Sequence, residues 1–137
     1  MYISHVDHIG FAVKSIEESR KIYEELLDFD CYKIEEVPDQ KVKTAFFRVG
    51  GLKIELLEPT DPESPVAKFL EKRGPGFHHI AYFVDSVDES LMIAEMRGAQ
   101  LIDKESRKGA EGMNIGFLHP KSTDGILTEV CSNRVII

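Results

Sequence analysis

Short runs rich in β-branched and aromatic residues occupy 6–13 and again 77–84, which predicts a short strand at each place. Both stretches then give way to the spacing of an amphipathic helix. Its apolar positions are Ile16, Ile22, Tyr23, Leu26 and Leu27 in the first case, and Val87, Leu91, Ala94 and Met96 in the second. Ser15 with Glu18, and Ser86 with Glu89, have capping-box spacing. The hydroxyl accepts from the amide three residues on, and the carboxylate can reach back to the N-cap amide. Gly98 predicts the end of the second helix. Strand-like pieces follow at residues 31–37, 43–49 and 52–58, and later at 100–104, 114–118 and 126–131. The predicted order is β-α-β-β-β, twice. Between the copies, Ser64-Pro65 fits the N-cap and first position of a short helix running to Lys72, which Gly74-Pro75-Gly76 ends.

The two copies are also alike residue by residue. HIGFAVKSIEESRKI at 8–22 and HIAYFVDSVDESLMI at 79–93 share seven of fifteen positions at an offset of 71. Because the punctuation recurs with the residues, duplication of one supersecondary unit is the reading. The expected organisation is one α+β domain over 1–137: a first module at about 1–60, a connector helix at about 61–76 and a second module at about 77–137. The two modules are expected to pair into one open, barrel-like sheet.

Composition narrows the class. A chain with 42% hydrophobic and 30% charged residues is globular, and it has no apolar run of membrane-spanning length. The net charge of −7 argues against a nucleic-acid partner, which calls for clustered Lys and Arg. The opening residues have no basic stretch followed by an apolar one, so no secretory signal is expected. The two cysteines, Cys31 and Cys131, do not form a disulfide framework. A reducing cytoplasm fits these features.

The repeat also selects candidate chemistry. On the first strand His8, Gly10 and Ala12 share one face, while Ile9, Phe11 and Val13 share the other. The second copy puts His79, Ala81 and Phe83 on the matching face. The closing strands each carry one carboxylate among apolar residues, Glu55 and Glu129, at an offset of 74. A lone strand histidine is usually an ordinary polar residue, and Lys53 could pair with Glu55. An unpaired buried carboxylate is expensive, however, and two such His and two such Glu at equivalent positions point to a shared metal. Imidazole with carboxylate suits a divalent transition ion such as Co, Ni, Mn, Zn or Fe, whereas a structural zinc site more often recruits Cys. His78 falls opposite Asp7 in the repeat, and His5 and His119 have no counterpart among the candidates, so these three are set aside. Lys121 suits a substrate anion or a solvated turn equally well and is left out of the site.

VDHIGFAVKSIEES, KIELLEPTDPESPVAKFLEKRGPGFHHIAYFVDSVD and FLHPKSTDGILTEV together resemble the vicinal-oxygen-chelate (glyoxalase/bleomycin resistance) superfamily. Within it they resemble the methylmalonyl-CoA epimerase family over essentially the whole chain. The resemblance implies metal ligands at His8, Glu55, His79 and Glu129, with cobalt the foremost ion. It also implies an acyl-CoA substrate, a homodimer, and isomerisation through a metal-stabilised enolate. Glu129, with Glu55 opposite, is the candidate for moving the α-proton. Some epimerases carry a Glu, proposed as a catalytic base, where this chain has Thr44. Lactoylglutathione lyases share the fold but usually carry Arg at the position of Ala12, which counts against glutathione. A metal-free binding module of the same fold would not need the His/Glu quartet.

Overall fold

The computed structural model describes residues 1–134. It divides into two compact units, one made of residues 8–78 and the other of 1–7 together with 79–134.

In the unit of residues 8–78, β1 (Ile3–Ala12) contributes its later residues. It is followed by α1 (Ile16–Leu27), β2 (Cys31–Val37), β3 (Val42–Val49), β4 (Leu52–Pro59) and α2 (Pro65–Arg73). The strand order is β2-β3-β4-β1, with β4 parallel to β1 and antiparallel to β3. Ser15 caps α1 as its spacing predicts, accepting from the Glu18 amide at 3.3 Å. The Ile16 amide is taken by Glu58 Oε1 on β4 at 2.8 Å, which ties the helix start to the sheet. Ser64 caps α2 by accepting from the Val66 amide, with Pro65 at the first position. The helix-side core holds Val13, Ile16, Ala45, Phe47, Ile54 and Leu56.

The helix face of α1 departs from the expectation. Ile16 is buried, but Ile22 is 56% and Leu26 75% exposed. At roughly 100° per residue these two form a second stripe beside the one that carries Ile16 and Tyr23, and only the latter reaches the sheet.

The other unit contains β5 (Gly76–Val84) from His79 onward, α3 (Val87–Met96), β6 (Arg107–Lys108), β7 (Asn114–Leu118) and β8 (Thr128–Ser132). Its strand order is β5-β8-β7-β6, with β8 parallel to β5. The first residues of β1 belong here too, and the His5 ring stacks on Phe83. Ser86 caps α3, and Gly98, at φ +97°, turns the chain out of it. Val84, Val87, Leu91 and Val130 pack beneath the helix.

The strand expected at 100–104 shrinks to a single bridge between Leu101 and Leu118. Backbone bonds still tie it to β7, from the Ile102 amide to the Phe117 carbonyl and from the His119 amide to the Gln100 carbonyl, but the Phe117 amide goes to Asp103 Oδ2 instead of to a backbone carbonyl. Strand pairing resumes only at Arg107.

Gly116 on β7 makes the helix–sheet contact possible, since a Cβ there would lie 2.7 Å from Leu91 Cδ1. Gly116→Ala is therefore expected to destabilise the fold by roughly 1–3 kcal/mol, as overpacking a core does. A lowered urea midpoint with an unchanged slope checks this.

Candidate metal centre

Each unit buries one histidine beside one glutamate. In residues 8–78 the parallel register sets Gly10 of β1 against Glu55 of β4, and His8 Nδ1 lies 3.4 Å from Glu55 Oε2. In the other unit Ala81 of β5 stands against Glu129 of β8, and His79 Nε2 lies 3.4 Å from Glu129 Oε1. The small residue two positions after each histidine is what opens the space between the side chains. All four are deeply buried: His8 is 6% exposed, Glu55 5%, His79 4% and Glu129 3%.

The next strand adds an aromatic to each pair. Phe46 of β3 is the antiparallel partner of Glu55, and Phe117 of β7 is that of Glu129. The Phe117 ring meets His79 edge-on at 5.7 Å. A cation from the outermost strand then covers each phenyl ring. Lys33 Nζ is 5.9 Å from the Phe46 centroid, and Arg107 Cζ is 5.6 Å from that of Phe117, both within cation–π range. A carboxylate holds each cation, Glu35 for Lys33 and Asp103 for Arg107, both at 3.0 Å. Sequence reasoning missed these residues although the signal was present. Phe46 and Phe117 are separated by the same 71 residues as the histidines, and Lys33 and Arg107 by the same 74 as the glutamates.

The histidines set aside have other roles. His78 meets the Phe69 ring at 5.0 Å, and burial pushes its imidazole down to about 4. His119 Nδ1 accepts from the Lys121 amide and so caps the short turn at Pro120–Ser122. Thr44 is fully buried beside Glu35 of β2 and Leu57 of β4.

The donor chemistry of each pair fits a metal. At 3.4 Å the N···O separation is longer than a good hydrogen bond of about 2.7–3.2 Å. Two donors held about 2.1 Å from one ion at a tetrahedral angle would be about 3.4 Å apart. Imidazole and carboxylate, without thiolate, are the set expected for a borderline divalent ion.

The sequence pattern of the Glyoxalase/Bleomycin resistance protein/Dioxygenase superfamily matches residues 7–117. The chain belongs to this superfamily. It is 44% identical to the uncharacterized protein YqjC of Bacillus subtilis, over 96% of this chain and 94% of that one. It is 34% identical to the ethylmalonyl-CoA/methylmalonyl-CoA epimerase of Cereibacter sphaeroides, over 93% and 97% respectively. Among solved structures, a methylmalonyl-CoA epimerase in complex with methylmalonyl-CoA and NH4+ matches with a TM-score of 0.93 at 32% identity, covering 98% of both chains. The fold expected from the repeat, α+β with two βαβββ modules, is therefore the fold of these epimerases. Among the described residues, no helix is long and apolar enough to cross a membrane.

Proposed function

We propose that this chain is a cytoplasmic, homodimeric, metal-dependent epimerase that interconverts (2R)- and (2S)-methylmalonyl-CoA. His8, Glu55, His79 and Glu129 would together hold one divalent ion, cobalt being the first to test. The observation that carries the reading is the recurrence of one buried His–Glu pair, in the same strand register, in each unit. The epimerase relatives supply the substrate class.

Epimerisation at the carbon between a thioester and a carboxylate begins with loss of a weakly acidic proton and ends with its return to the opposite face. When bound, the ion supplies a Lewis acid for the substrate oxygens that gain charge as the proton leaves. Glu129 is the group assigned to take the proton. Ala81, Phe83, Ile115 and Phe117 surround that part of the unit with apolar side chains. They exclude the water that would otherwise solvate the carboxylate and dilute the substrate's contacts. Phe117 also fixes the His79 ring from its edge, leaving the imidazole nitrogens directed by Glu129. Inversion needs either a second proton-carrying group or a base that swings between faces, and Glu55 is assigned the role of second group from the equivalent position in the other unit. Thr44 cannot serve, because a hydroxyl neither accepts nor donates a proton readily near neutral pH.

Incubating a single epimer with metal-loaded protein tests the function. Chiral analysis should show approach to an equal mixture from either side, with none after chelation. No conversion with any of the five divalent ions would overturn the assignment. Metal affinity should fall as pH is lowered, because neutral imidazole is the ligating form and protons compete for its nitrogen. Equilibrium dialysis across pH 8 to 5 reads this directly, and a flat profile would exclude imidazole ligation.

A further inference from the structure

The Phe117 backbone is gripped by the segment that precedes β6. Its carbonyl accepts from the Ile102 amide at 2.9 Å and the Asp103 amide at 3.2 Å, and its own amide donates to Asp103 Oδ2 at 2.9 Å. Both groups therefore point away from β8. Phe117 and Glu129 form a non-hydrogen-bonded antiparallel pair, the kind in which facing side chains stand closest. The other oxygen of the same carboxylate, Asp103 Oδ1, accepts from Arg107 Nε at 3.0 Å, and Arg107 Cζ stands 5.6 Å from the centre of the Phe117 ring. One carboxylate thus fixes both the backbone that carries the ring and the cation that covers it. The ring in turn meets His79 edge-on at 5.7 Å.

Fold stability gives little reason for the cation. The Arg107 side chain is 39% exposed, and ion pairs near the surface contribute little. Yet the arrangement recurs in residues 8–78, where Lys33 lies over Phe46, the partner of Glu55, and Glu35 holds the ammonium. A bulge between Cys31 and Lys33 turns Tyr32 and Lys33 toward that ring. The carboxylate follows its cation by two residues in that copy and precedes it by four in the other. Duplication alone does not account for the match. What the copies share is a charged clamp on the ring next to a buried His–Glu pair.

We propose that Arg107 is a positioning residue for His79, acting through the Phe117 ring, with Asp103 as its anchor. This rests on the metal reading above. A cation over the ring face resists tilting of the ring, because the attraction weakens as the charge leaves the face. A ring held this way limits rotation of the imidazole about χ2, which is otherwise a broad torsion, and does so without occupying an imidazole nitrogen. Outer groups that orient a ligating histidine typically change metal affinity by about 10–100-fold.

The test titrates wild type and variants with Co2+ by calorimetry and records the visible d–d absorption of each loaded protein. Arg107→Ala is expected to raise the Kd about tenfold or more and to alter the spectrum, with the urea midpoint nearly unchanged. Arg107→Lys keeps a cation over the ring and should recover most of the affinity. In a Phe117→Leu background, Arg107→Ala should cost nothing further, because residues that act through one another are not additive. Circular dichroism checks each fold, and the Arg107 comparison decides the matter even if Phe117→Leu does not fold. An unchanged Kd and spectrum in Arg107→Ala, or the same loss with and without the ring, would overturn the clamp and leave the metal centre standing. Wild type that takes up no Co2+ would instead overturn the metal reading on which the clamp rests.

Discussion

Glu129→Gln is expected to slow epimerisation by roughly 10²–10⁴-fold, the usual contribution of a positioned general base. The amide is nearly isosteric and still offers an oxygen to a metal, but it cannot accept a proton. Burial at 3% exposure and pairing with His79 shield the carboxylate from bulk water. The fold and part of the metal affinity should persist. If Glu129 serves one face of the substrate only, exchange of the α-proton with deuterium should survive for one epimer and fail for the other. Wild-type exchange for both epimers in metal-loaded variant would reduce Glu129 to a ligand, and Glu55→Gln would then be the next variant to test.

The second large effect is expected from His8→Ala combined with His79→Ala. Each substitution removes the nitrogen that stands 3.4 Å from its glutamate, and with both gone the remaining carboxylates are a poor set for a transition ion. Metal content should fall from about one ion per chain to none by elemental analysis after dialysis, and activity with it. His79→Ala alone should also lose the ion, with little change in far-UV circular dichroism. Full metal retention by the double variant would remove the quartet from the account.

Much of this was legible in the sequence because the chain states its architecture twice. The His8/His79 and Glu55/Glu129 offsets identified two residues per copy, and strand parity put them on a common face. The coordinates add that Gly10 and Ala81 sit opposite the two glutamates. The three serine caps, Ser15, Ser64 and Ser86, are also where their spacing placed them.

What escaped detection depended on tertiary choices that periodicity does not carry. Asp103 captures the Phe117 amide, which a full ladder at 100–104 would have paired with backbone. A helix with two apolar stripes does not reveal which one will face the sheet, and in α1 the Ile22–Leu26 stripe remains outside. The bulge that turns Tyr32 and Lys33 toward the site shifts register without a glycine or proline to announce it.

The central claim is that one metal-dependent site removes and returns the α-proton of methylmalonyl-CoA. Deuterium incorporation at that carbon, followed for each epimer in heavy water, tests it most directly. Metal-loaded protein is expected to wash deuterium into both epimers and to invert them, while chelated protein does neither until an ion is restored. Exchange and inversion proceeding at the same rate in fully chelated protein, or absent in protein carrying one tightly bound divalent ion, would contradict it.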